Sequence, residues 1–228
     1  MATETSQAPG PSLWLALPAG FIRIDLDEDP GDRMERMAAG LHALFPDALP
    51  EQKLSLVLAG ETALQSHLRE GAVHVSSCLY VAGDGEPIQG TFALFVRPEE
   101  IGDLATYPQR AAEQLAAAWP EAEAGVLGLP YGRAAVATRD KAVPVPGAIY
   151  GVAEDTATVV RQIELLIPHP SGRHVVAAVF STEHLEHWSE WLPIVATAMD
   201  GISFLPPATD PADEGPSEQW TSVRRAFG

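Results

Sequence analysis

Apolar residues along the chain recur with two different periods, and the alternation between them predicts most of the elements. Leu13, Leu15 and Leu17 alternate with Trp14 and Ala16, Pro18-Ala19-Gly20 turns the chain, and Phe21-Ile22-Arg23-Ile24 follows. A period of two on both sides of a turn predicts a strand pair. Asp29 then precedes Pro30, which suits an N-cap followed by proline at the first helical position. Met34, Met37, Leu41 and Leu44 follow at helical spacing. A second helix is expected from Pro50 to Gly71, with Leu54, Val57, Leu58, Leu64 and Leu68 on one side.

Strand periodicity returns over residues 72–97. Val73, Val75, Leu79 and Val81 are expected on one face and His74, Ser76, Cys78 and Tyr80 on the other, before the turn Gly83-Asp84-Gly85 and a returning strand. Thr106-x-x-Gln109 has the form of a capping box for a helix reaching about Trp119. Short strands are expected near 122–129, 132–139 and 147–152. A long β-rich run, Thr156 to Ile167, is joined by Pro168-His169-Pro170-Ser171-Gly172 to a second strand, His174 to Ser181. Ser181 or Thr182 should cap a helix carrying Leu185, Trp188, Leu192 and Val195, with a kink or break at Pro193, which has no N–H to donate. Ile202 to Leu205 reads as a final edge strand. The expected fold class is α+β, an antiparallel β-sheet with helices packed on it. The expected domain is residues 12–205, between a polar lead-in over 1–11 and a Pro-rich C-terminal tail over 206–228.

Composition narrows the function classes. The chain has 228 residues, 46% of them apolar, which is ample for a packed core. Fourteen basic against 31 acidic residues leave a formal charge of −17, which argues against nucleic acid and anionic membrane as partners. One cysteine, Cys78, excludes an internal disulfide and a thiolate-rich zinc site. No export signal or spanning apolar run is seen, so a cytoplasmic location is expected. The abundance of Ala, Gly and Pro suggests a GC-rich, bacterial genome.

Two segments of this chain, Leu17-Pro18-Ala19-Gly20-Phe21 and the hairpin 156–181 with its Trp-containing helix and Ile202-Ser203-Phe204, resemble the PsbP/DcrB-type α+β sandwich family. The resemblance covers about a quarter of the chain. It implies an antiparallel sheet covered by helices and, because such proteins are mostly non-catalytic assembly factors, adaptors and chaperones, it implies binding of a protein partner. It carries over no site residue.

Candidate chemistry is sparse. His184-x-x-His187 has the best metal-like spacing, with Glu183, Glu186 and Glu190 beside it and His169 or His174 expected to approach from the preceding hairpin. Two imidazoles without the glutamate of a zincin pattern are a weak signal, and a solvated helix face is the plainer account. No metal or other cofactor is therefore assigned, and His184 and His187 stand as the alternative of a metal-dependent hydrolase. Cys78 lacks a base, because His74, four strand residues away, is roughly 13 Å distant. The glycines at 83, 85, 125 and 128 open no helix, so they form no phosphate loop. The acidic run Asp25, Asp27, Glu28 and Asp29 lacks the glycine and closing glutamate of a calcium loop.

No catalytic residue is assigned. In the tail, Trp220, Val223 and Phe227 recur at spacings of three and four beside Arg224 and Arg225, a set suited to docking in an apolar groove. The expected function is thus a non-enzymatic cytoplasmic interaction protein for a partner of basic character. A homo-oligomer is left open, and a small-molecule carrier with a pocket near Trp119, Trp188 or Trp191 is a further alternative.

Overall fold

The computed structural model describes residues 12–46, 49–145, 156–206 and 221–222. The lead-in over 1–11, the strand expected over 147–152, and the tail residues Trp220, Val223, Arg224, Arg225 and Phe227 lie outside them.

Two sheets organise the fold. The larger contains β2 (Phe21–Arg23), β3 (Ala72–Val81), β4 (Pro87–Pro98), β5 (Glu123–Leu129), β6 (Gly132–Val145), β7 (Thr156–Pro168) and β8 (His174–Thr182). Its order is β2-β3-β4-β8-β7-β6-β5, antiparallel throughout. The smaller is a ribbon in which β1 (Trp14–Leu15) lies between β9 (Ile202–Ser203) and β10 (Thr221–Ser222). With α1 (Pro30–Leu44), α2 (Pro50–Arg69), α3 (Tyr107–Ala118) and α4 (Trp188–Asp200), this is an α+β fold with helices on an antiparallel sheet.

Strand alternation sorts the core into two layers. On one face Phe92, Leu94, Leu165, Ile167, Val176, Ala178 and Phe180 pack with Trp191, Val195 and Met199 of α4 and with Leu13, Leu15 and Ile202 around the ribbon. On the other, Ala135, Ala137 and Val175 meet Ala111, Ala112 and Leu115 of α3. Leu64 of α2 sits over Val75, Ala93, Phe95, Ala177 and Val179 on that second face. Central β8 is apolar on both sides, as the run Val175 to Phe180 requires of a strand covered twice.

Several local expectations hold. Asp29 caps α1, its Oδ1 accepting from the Gly31 N–H at 2.8 Å, with Pro30 at the helix start. The turn at 82–86 closes through Ala82 N–H to Glu86 O at 2.8 Å, and Gly85 there takes φ +92°, a left-handed conformation that favours glycine.

Others are corrected. β1 and β2 do not pair with each other. The chain turns at Gly20 from one sheet into the next, so β1 joins β9 and β10 while β2 joins β3. The same pairing removes Ile202–Ser203 from the edge of the main sheet. Val73 packs on the α4 side rather than with Val75, because the β3–β4 register shifts between Ala72 and His74. Thr106 makes no side-chain cap bond. Asp103 Oδ1 accepts from Ala105 N–H at 2.9 Å in the turn before the helix, and the Asp103 carbonyl accepts from Tyr107 N–H at 3.1 Å, while Gln109 donates to Glu113.

The last helix begins later than expected. Thr182 Oγ1 does accept from His184 N–H at 3.1 Å, but a single 3-10 turn, Leu185–His187, comes between that cap and α4. α4 runs without a break through Pro193, which leaves the Ser189 carbonyl without its helical N–H donor. In α2, Val57 and Leu64 face inward, whereas Leu54 and Leu58 face solvent. No helix among the described residues is long and apolar enough to cross a membrane.

Candidate functional site

The structure brings His184 and His187 to the turn between β3 and β4. That turn is set locally: Asp84 Oδ1 accepts from Glu86 N–H at 3.0 Å, which leaves Oδ2 directed outward. Pairing of β4 with β8 places the end of β8 beside the turn, and Thr182 fixes the junction by donating its hydroxyl to Gln89 O at 2.7 Å. The 3-10 turn that follows carries His184, Glu186 and His187 against Asp84 and Glu86.

His187 is the centre of this group. It is only 8% exposed, and its Nε2 is shielded from solvent with no hydrogen-bond partner. That nitrogen faces Glu86 Oε2 at 3.6 Å, Asp84 Oδ2 at 3.8 Å and Glu186 Oε1 at 4.0 Å, all too long for a hydrogen bond. The opposite nitrogen, Nδ1, bonds Glu190 Oε1 at 3.1 Å. Glu190 in turn holds the turn itself, its Oε2 accepting from Gly83 N–H at 2.8 Å. His184 Nδ1 lies 3.8 Å from both Glu86 Oε1 and Glu186 Oε1, so Glu86 presents one oxygen to each imidazole. The bond to Glu190 and the charges of Asp84 and Glu86 raise the pKa of His187 against the opposing effect of burial. Among the described residues no lysine or arginine lies within ion-pair distance of these acids; the two histidines are the basic side chains nearest to them. The ligand atoms make two overlapping groups that share Glu86, one of Asp84, Glu86 and His187 and one of Glu86, His184 and Glu186, and imidazole with carboxylate is the donor chemistry of a borderline divalent cation.

The His-x-x-His spacing was visible in the sequence, and so was Glu190 nearby. Asp84 and Glu86 were not, because they stand about a hundred residues earlier and arrive only through strand pairing. His169 and His174 do not join the group. They sit at the other end of β8, roughly 26 Å along the strand from Thr182, packed with each other, and His169 also with Phe204.

The remaining candidates have structural roles. Cys78 is buried, its Sγ bonded to Gly90 O at 3.3 Å, and burial pushes its thiol up to about 12. His74 is buried beside Phe92 and bonded to Ser76, its pKa held down to about 4 by loss of solvent. Trp191 is fully buried against Phe180 and Tyr80, and the Arg139 guanidinium covers the ring of Trp119 at 3.5 Å. In the acidic run before α1, Glu28 pairs with Arg36, and the backbone carbonyls of Asp25 and Glu28 accept from Arg33.

A second surface stands out for its chemistry. α1 and α2 form a hairpin of helices, of which only α2 is anchored on the sheet, through Leu64. Leu54 is 59% exposed and Leu56 47%, with Leu58 one turn beyond Leu54 and Phe45 at the end of α1 also exposed. At Thr221–Ser222 the chain lies antiparallel to its own β1, so at that point it completes the ribbon. No protein family, curated protein or solved structure matches this chain.

Proposed function

We propose that this is a non-enzymatic, cytoplasmic interaction protein that docks a basic, amphipathic segment of a protein partner on its α1–α2 hairpin. The observation that carries the reading is the solvent-facing pair Leu54 and Leu58, one turn apart on a helix already anchored by Val57 and Leu64, with Leu56 exposed on its other flank. Apolar side chains grouped on one exposed helical element are a recurrent mark of partner surfaces. The charge of −17 supplies the rest of the description, since complementary potential speeds encounter with cationic partners and rejects acidic ones. The resemblance to the PsbP/DcrB-type sandwich supports a binding role, and a single buried thiol suits a reducing compartment.

The test uses a labelled amphipathic peptide with lysine and leucine on opposite faces, titrated by fluorescence anisotropy. The intact chain should bind it, less tightly as salt rises. The double variant Leu54→Ser/Leu58→Ser keeps the net charge and should bind at least tenfold more weakly with an unchanged melting temperature. Equal affinity for the two proteins would leave charge alone responsible and overturn the assignment of the surface.

A further inference from the structure

We infer that Asp84, Glu86 and His187, with His184 and Glu186 beside them, form a zinc-class cation site that clasps the β3–β4 turn to the start of α4. The proposal does not depend on the docking surface, which lies on α2.

Three separate features of the geometry lead to it. The first is His187 itself. Burying an imidazole nitrogen with no partner is costly, and here the nitrogen is aimed at three carboxylate oxygens instead of an apolar wall. When Glu190 accepts from Nδ1–H, the second nitrogen, Nε2, is left facing those anions, where it carries either a proton or, once the proton is displaced, a metal ion.

The second is distance. Ligand atoms about 2.0–2.1 Å from a tetrahedral zinc ion stand about 3.3–3.4 Å from one another. The pairs His187 Nε2–Glu86 Oε2 at 3.6 Å and His187 Nε2–Asp84 Oδ2 at 3.8 Å need to contract by only a few tenths of an ångström. The Asp84, Glu86 and His187 ligand atoms all lie within 4.8 Å of one another, as do those of Glu86, His184 and Glu186.

The third is the support behind the donors. Metal-binding histidines commonly give their second N–H to a carboxylate, which fixes the tautomer and the ring orientation. Glu190 does this for His187 and, with its other oxygen, holds Gly83 of the turn that carries Asp84. One side chain thereby sets the spacing between both halves of the site.

The donor chemistry selects the ion. Imidazole favours a borderline cation such as Zn2+ over Mg2+ or Ca2+, which prefer oxygen alone. Asp84, Glu86 and His187 are the three ligands that already face one another, and His184, held against the other Glu86 oxygen in the overlapping group, supplies a second imidazole by turning toward the ion. Bound this way, the ion links two elements about a hundred residues apart in sequence, so it should stabilise the folded chain by mass action.

The experiment is a zinc titration of the full, untagged chain by calorimetry at pH 7.5, with melting temperatures recorded alongside. One equivalent of Zn2+ should bind and, at a hundredfold excess over Kd, raise the melting temperature by roughly 5–10 °C. Glu86→Gln should weaken zinc binding at least tenfold while the zinc-free variant still melts in a single cooperative transition. His184→Ala should weaken it at least tenfold as well, and His187→Ala more strongly than either. The inference is overturned if no saturable zinc binding is seen. It is equally overturned if the Glu86 and His187 variants bind as the parent does, or if Mg2+ or Ca2+ binds with histidine variants unaffected.

Discussion

Arg33 and Glu61 are joined by two parallel hydrogen bonds, Nε to Oε2 at 2.8 Å and Nη2 to Oε1 at 2.7 Å, with Arg33 only 1% exposed. The remaining guanidinium nitrogen donates to the Asp25 and Glu28 carbonyls, and Gln65 donates to Glu61. Helix α1 buries few apolar side chains, so this pair is what orients it on α2 and on the loop before it. The mutual bonds outweigh desolvation on both partners, lowering the pKa of Glu61 and raising that of Arg33.

Removing one member strands the other. Arg33→Ala should destabilise the chain by about 3–5 kcal/mol in urea unfolding, because a buried carboxylate loses its counter-charge. Arg33→Lys should recover only part of that loss, since an ammonium cannot make the paired contact. Arg33→Met combined with Glu61→Leu should be markedly more stable than Arg33→Ala alone.

Gly201 lies where α4 ends and meets the strand at the start of the chain. A Cβ there would fall 1.9 Å from the Ala16 carbonyl oxygen, while Ala16 N–H donates to Gly201 O at 2.9 Å. Its φ is −73°, so the constraint is one of space and not of backbone conformation. Gly201→Ala should cost about 1–3 kcal/mol, as overpacking does, and the backbone of β1 should move. Faster amide exchange at Leu15 and Ala16 would report that displacement; unchanged exchange and stability would refute it.

Acid should weaken the fold through His74. Inside the protein this imidazole stays neutral down to about 4, whereas the unfolded chain protonates it near 6.5. Between those values the unfolded state binds more protons, so stability is fully present above pH 6.5 and declines as pH falls. His67, lowered by burial, acts in the same direction. Glu164 acts in the opposite one, because burial raises its pKa and its cost in the folded state eases on acidification. Between pH 7.5 and 5.0 the His74 contribution should fall by about 2 kcal/mol. A His74→Gln variant should lose that much less across the same interval in urea titrations; parallel pH profiles would rule His74 out.

What could be read in the sequence was what short stretches of chain decide. Asp29 followed by Pro30 caps α1 through contacts two residues away, and Gly83-Asp84-Gly85 bends β3 into β4 without help from elsewhere. Leu13, Leu15 and Leu17 showed a strand period but not a partner, because β9 and β10 come from the far part of the sequence. Thr106 had the right spacing for a cap, yet its hydroxyl donates backward to the Asp103 carbonyl instead. In α2 the apolar positions outnumber those the sheet can cover, so periodicity overstated the inward face. The candidate site divides in the same way. His184 and His187 are three residues apart and visible as a pair, whereas the acids facing them depend on β4 pairing with β8.

That ladder has a consequence for how the molecule is made. β2, β3 and β4 form one meander and β5 to β8 another, and the one strand pairing that joins them is β4 with β8, with Thr91 opposite Ser181. Closing about ninety residues of chain costs about 4 kcal/mol in entropy before that pairing returns anything. During synthesis the long apolar edge of β4 therefore has to wait, unmated, until the ribosome has delivered β8. The interval between those two moments is when this chain most needs protection from its neighbours.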